Sequence, residues 1–213
     1  IIAYNLIFYY SDEQFKKQKR EYIQMAESKL LENDLEGALK EYFKSLEILS
    51  HTKSYLEDRN AYKGIAEIKL KQKRYADAAK YLSKIMDNKV MFYRKYENLK
   101  NDEAELYYKR ALAYYYLKKY EKARNDFTSA LSRSKYEGMP ENISNFYLNL
   151  YYMRSDSYLN NNLSTYAIED INKVISKSKN IKPQYYQIRS RANYLEEKYE
   201  DAISDATTSL EFI

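Results

Sequence analysis

The chain has 213 residues, enough for one large domain or two small ones with a real hydrophobic core. Three glycines and two prolines leave little material for tight turns or strands, and the absence of cysteine excludes a disulfide framework and thiolate metal sites. A net charge of +5, with both signs interspersed, permits an acidic partner without demanding one.

In chain order, residues 1–10 (IIAYNLIFYY) are apolar, but far short of the roughly 20 residues that span a bilayer. No basic region precedes them, so they do not form a complete signal peptide. Residues 1–18 read as a lead-in whose apolar start packs as a strand or helix end on the first repeat. The sharper alternative is the tail of a membrane anchor. With no initiating Met, the chain reads as a fragment or a processed product.

Helical hairpins are predicted near residues 19–50, 59–88, 104–134, 148–178 and 183–212. In the first, Tyr22, Met25, Ala26 and Lys29 mark one helix and Ala38, Tyr42 and Ser45 the next. Asn33-Asp34 is the polar joint between them, where short side chains bond nearby backbone. In the second, Tyr62, Ile65, Ala66, Tyr75, Ala78 and Leu82 recur in the same order. Residues 88–100 carry no signature of their own and lead to Asn101-Asp102, a predicted N-cap with Glu105 three residues on.

The third hairpin is the clearest. Tyr107, Ala111 and Tyr114 lie on one face of a 3.6-residue period, and Ala123, Phe127 and Ala130 repeat the spacing beyond a joint at Lys118-Lys119-Tyr120. Tyr136–Pro140 is the strongest break, with Gly138 and Pro140 together, and Pro140 suits the first turn of the helix that follows. Tyr151, Ser155, Tyr158, Ala167 and Ile171 mark the fourth hairpin, with a looser joint at Asn160-Asn161-Asn162. Tyr186, Ser190, Tyr199, Ala202 and Ala206 mark the fifth.

This order of small and bulky residues resembles the tetratricopeptide repeat, most closely in the third hairpin. There Tyr107 takes the first signature position, Arg110-Ala111 the Leu-Gly pair, and Tyr114 and Ala123-x3-Phe127 the rest. Arg110 departs from the pattern, and the terminal Pro is missing. Hairpin starts lie 40, 45, 44 and 35 residues apart, against a family unit of about 34, so the excess sits in longer second helices or loops. The resemblance implies an all-α solenoid of about five hairpins over 19–213, wound as a right-handed superhelix.

Three departures from the family pattern occur together. Arg110, Arg154 and Arg189 stand where a buried leucine is preferred, and in the same repeats Asp126, Asp170 and Asp205 share one position on the second helix. A charge at a helix–helix contact is costly unless an opposite charge meets it. The parallel occurrence predicts three structural ion pairs within repeats rather than a ligand cluster.

Nothing in the sequence supports catalysis. His51 is the lone histidine, Gly37, Gly64 and Gly138 are isolated, and the carboxylates read as solvated helix faces. No cofactor and no metal site is expected. By the family resemblance, first helices line a concave groove, which assigns partner binding to Lys63, Tyr108, Lys109, Leu112, Tyr115, Tyr116, Tyr152, Arg191 and Tyr194.

A groove rich in tyrosine with lysine nearby suits a protein or peptide segment that is acidic or contains aromatic residues. In the family's chaperone-type carboxylate clamp, the Lys and Asn positions of the first repeat hold Ile23 and Glu27 here, and the second Asn position holds Gly64, or Lys109 in a shifted frame; the clamp is absent in either frame, so a chaperone tail is not the expected ligand. Uneven repeat steps and mixed charge argue against nucleic acid. The alternative is an assembly subunit contacting partners through loops or solenoid ends, or associating with itself there, since Glu211-Phe212-Ile213 closes on an apolar note. Bacterial peptide-sensing regulators share the spacing but carry an N-terminal effector region that residues 1–18 cannot hold. A membrane role is expected only if residues 1–10 end an anchor; the default compartment is cytoplasmic.

Overall fold

A computed structural model describes the backbone of residues 2–48, 54–87, 103–133 and 141–212, with side chains from 12 in the first span and from 145 in the last. His51, residues 88–100, the Asn101-Asp102 cap and the break at Tyr136–Pro140 lie outside the described residues. All regular structure among the described residues is helical: α1 (Ile2–Leu31), α2 (Leu35–Glu47), α3 (Tyr55–Lys71), α4 (Tyr75–Asp87), α5 (Glu103–Tyr116), α6 (Tyr120–Arg133), α7 (Glu141–Leu159), α8 (Ser164–Lys177), α9 (Pro183–Leu195) and α10 (Tyr199–Leu210). Paired in order, these are the helical hairpins expected from the residue pattern. The chain divides into two compact units, Ile1–Lys100 and Asn101–Ile213.

Each hairpin turns through the same backbone device. The helix ends on a residue in the left-handed region: Asn33 (φ 62°), Lys73 (58°), Lys118 (57°), Asn162 (58°) or Glu197 (60°). Around each, two hydrogen bonds close a Schellman motif, as where Asp34 N–H donates to the Lys29 carbonyl (2.8 Å) and Asn33 N–H to Leu30 (3.1 Å). The Asn160–Asn162 joint, expected to be looser, closes the same way, with Leu163 N–H on Tyr158 (3.0 Å) and Asn162 N–H on Leu159 (3.1 Å). Scarce glycine therefore does not mean scarce tight turns. Asn tolerates a left-handed backbone, whereas Lys and Glu hold it at a cost the flanking helices absorb.

The first unit packs α1 to α4 around Ile23, Ala38, Leu39, Tyr42, Ile65 and Ile68. Helix α1 runs unbroken from Ile2, so residues 2–18 continue into the first helix of repeat one rather than forming a separate segment. Lys19 bonds Asp58 (2.5 Å) and Arg20 bonds Glu57 (2.8 Å), joining α1 to α3. Gly64 is a packing residue: a Cβ there would lie 2.2 Å from Cζ of Tyr42, so its absence lets the ring rest on the α3 backbone. Burial, reinforced by Glu27 and Glu67, pushes the Tyr42 phenol up to about 12.

In the second unit, α7 covers the α5–α6 hairpin and α9 covers the α7–α8 hairpin. The first contact joins Ala111, Ala123, Phe127 and Ala130 to Leu150 and Met153 of α7. The second joins Leu159, Ala167, Ile171 and Val174 to Tyr185, Ile188 and Ala192 of α9. Small residues at the signature positions let the helix axes approach, and the bulky ones fill the space between.

Candidate functional site

Three arginines join the two helices of each hairpin in the second unit. Arg110 donates to Asp126 through Nε (2.7 Å) and Nη2 (2.8 Å), Arg154 to Asp170 (2.6 and 2.8 Å), and Arg189 to Asp205 (2.9 and 2.6 Å). Each pair is bidentate, the geometry in which a guanidinium matches a carboxylate best. Burial works against the charge on Arg110 and Arg154, yet the hydrogen bond and charge of the facing aspartate hold both guanidiniums above their ordinary value. At Arg189 the Asp205 hydrogen bond leads, with the same direction.

Tyrosines complete these sites. Arg110 lies 5.7 Å from the ring centres of both Tyr107 and Tyr114, and Arg154 lies 5.4 and 5.5 Å from Tyr151 and Tyr158. The spacing Tyr-x2-Arg-x3-Tyr puts ring, cation and ring on one helix face. In the last hairpin the second tyrosine is replaced by Asn193, whose amide donates to Asp205 (3.1 Å). In the first hairpin the acid position is kept as Glu41, but its partners are Lys44 (3.0 Å) and Lys29 (3.8 Å), while Met25 is exposed.

The groove residues expected from the sequence fall into three groups. Tyr108, Leu112, Tyr115 and Tyr152 are half-buried, packed on the edge of the second unit's core. Asn149 of α7 donates to the Tyr108 hydroxyl (2.6 Å), and Tyr115 of α5 donates to the Asp156 carboxylate of α7. Burial, then that hydrogen bond and the Asp156 charge, raise the Tyr115 phenol strongly. Tyr152 reaches the other way, its ring 5.3 Å from Tyr185 of α9. These side chains tie successive first helices together.

Tyr116 is exposed and rests edge-on against Tyr115 (5.5 Å), while Lys109 is half-buried beside Glu105 (2.5 Å). Arg191 and Tyr194 line a groove of about 500 Å³ between α9 and α10 of the last hairpin. Lys63 is half-buried on α3 of the first unit. Sequence reasoning overlooked Asn149 and Asp156 as fixing groups. Both stand 41 residues after their tyrosine, a shared spacing that a search for polar partners across neighbouring first helices could have found.

Among the described residues no group of three or more His, Cys, Asp or Glu is placed to hold a metal ion, and no helix is long and apolar enough to cross a membrane.

Residues 104–135 match the model of the tetratricopeptide repeat. Comparison with curated proteins found no match. Among solved structures, the chain resembles MamA (18% identity, TM-score 0.68, covering 92% of this chain and 91% of that one). It also resembles YrrB, described as a TPR protein with an unusual peptide-binding site (16% identity, TM-score 0.72, covering 96% and 91%). A third likeness is to residues 41 to the end of MamA from Desulfovibrio magneticus RS-1 (13% identity, TM-score 0.67, covering 91% and 94%). Residues 104–135 thus carry a tetratricopeptide repeat, and the chain shares the helical-hairpin fold of these solved structures.

Proposed function

We propose that this chain is a non-catalytic protein-interaction scaffold, taking a partner segment along the first-helix face of its second unit. The observation that carries the reading is Tyr116, a ring 54% exposed, seated edge-on against Tyr115, which Asp156 already holds in place. Aromatic area held rigid before binding loses little entropy on contact, which is what a binding hot spot needs. The fold supports the same reading, since YrrB, a structural neighbour, is described as having a peptide-binding site.

Lys109 sits beside Glu105, and Asp156 lies on the same face, so the positive charge there is balanced. A segment that offers aromatic or apolar side chains with a few acids fits better than a run of acids. Lys63 is a candidate contact on α3 of the first unit, taken by itself.

The test is selection of peptides from a displayed library, followed by binding curves with Tyr116→Ala. Selected segments should lose about tenfold in affinity while the far-ultraviolet spectrum stays helical. Unchanged affinity, or no selected segment, removes the reading.

A further inference from the structure

Two of the three paired arginines have a tyrosine three residues before and another four residues after them, and the third lacks the second ring. Tyr107 and Tyr114 serve Arg110 in this way, and Tyr151 and Tyr158 serve Arg154. Arg189 keeps Tyr186, with its ring centre 5.4 Å away, but Asn193 follows it and turns its amide to Asp205 (3.1 Å). The Arg189 side chain is accordingly 26% exposed, against 17% for Arg110 and 13% for Arg154.

In place of the missing ring is a pocket of about 340 Å³, walled by Ile168 and Asn172 of α8, Arg189 and Asn193 of α9, and Asp201 and Asp205 of α10. These walls are the counterparts of those around Tyr158. Aligning the hairpins on their arginines puts Asn193 at Tyr158, Asp201 at Tyr166, Ile168 at Arg124 and Asn172 at Thr128. Tyr158 stacks on Tyr166 (5.4 Å) and lies 5.9 Å from Arg124 and 5.5 Å from Arg154, which itself bonds Thr128. The pocket is therefore the Tyr158 site without its ring. In both earlier hairpins the site is filled by that hairpin's own tyrosine, and the cations and ring beside it come from the same or the preceding hairpin.

Size and charge define the guest. A cavity of roughly 150 Å³ already admits a benzene ring, so a six-membered ring bearing a polar group has room here. Arg189 and Lys198 are matched by Asp201 and Asp205, and a lining without net charge favours a neutral guest over a phosphate or carboxylate. Asn172, Asp201 and Ser204 offer hydrogen-bonding groups at the wall. We infer that this pocket takes a tyrosine side chain of a partner protein, its ring stacked on the open face of the Arg189 guanidinium and its hydroxyl bonded to the polar groups of α8 and α10.

The probes are N-acetyl-tyrosine amide and a capped pentapeptide with tyrosine at its centre and glycine elsewhere. Each is titrated into the isotope-labelled full chain and followed by heteronuclear NMR. The expected result is a saturable ring-current shift of the Asn172 side-chain amide and of Arg189 Nε–H with both probes. The leucine counterpart, which has no π face for the cation, should bind about fivefold more weakly, and the phosphotyrosine counterpart no more tightly. Asn193→Tyr supplies the ring from within, as the two earlier hairpins do, and should abolish the shifts; its helical spectrum and thermal midpoint are measured alongside. The leucine comparison uses the parent chain alone and so does not depend on how that variant folds.

No saturable shift at these groups, equal binding of the leucine counterpart, tighter binding of phosphotyrosine, or shifts that survive Asn193→Tyr overturns the inference. Binding of the amide without the pentapeptide also overturns it, because the guest would then be a free phenol rather than a partner's side chain. Tyr116 is no part of this site, so Tyr116→Ala should leave the titration unchanged, and failure here and failure of the first-helix reading are told apart.

Discussion

Side by side, the arginine pairs show how a polar group holds a place the family gives to leucine. Asp170 is buried and Arg154 nearly so, with side-chain exposures of 3% and 13%. Removing one partner leaves the other charge without compensation, and Arg154→Leu should destabilise the chain by about 3–5 kcal/mol. The double change Arg154→Leu with Asp170→Leu should recover most of that, because two apolar side chains can fill the same space. Urea melts of the parent chain and the two variants check both statements, and a double variant no better than the single one refutes the pairing argument. Gly64 has the opposite lesson, since nothing about it is polar. A methyl group there meets the Tyr42 ring, so Gly64→Ala should cost about 1–3 kcal/mol. In a Tyr42→Leu background the same change should cost clearly less, as thermal melts of the four proteins will show.

At the scale of elements, the hairpin turns are stereotyped while their sequences are not. Five Schellman closures are made with Asn, Lys, Lys, Asn and Glu in the left-handed position. The turn is dictated by the geometry of two antiparallel helices packed through small residues, and the residue at its corner accepts the strain. Lys118→Gly and Glu197→Gly should therefore stabilise the chain by about 0.5–1 kcal/mol each, the relieved backbone cost outweighing the flexibility glycine adds to the unfolded chain. Chemical denaturation midpoints that fall instead of rising would contradict this.

For the molecule as a whole, tyrosine makes stability sensitive to alkali. Tyr42, Tyr115 and Tyr151 all have phenols raised by burial, the last two further by hydrogen bonds to Asp156 and Tyr147. A raised phenol favours the protonated folded form. Its contribution is complete below the unfolded value of about 10 and is lost as pH climbs through the folded one. Stability should thus be level from pH 7 to 9 and fall above 10, measured by urea melts across that range. Tyr42→Phe and Tyr115→Phe together should flatten the fall.

Much of this was legible in one dimension. Periodic alanines and aromatics defined the hairpins, since a helix face has to alternate small and bulky residues wherever two axes meet closely. The Arg–Asp pairs were legible too, because a buried charge and its partner must appear together. What only the tertiary structure decided is which face each tyrosine serves. That Asn149 and Asp156 come from the next first helix to hold Tyr108 and Tyr115, and that Arg191 and Tyr194 line a groove between α9 and α10, are set by the packing of the hairpins. Helical period places a residue on a face, but only the neighbouring hairpin determines whether that face is covered.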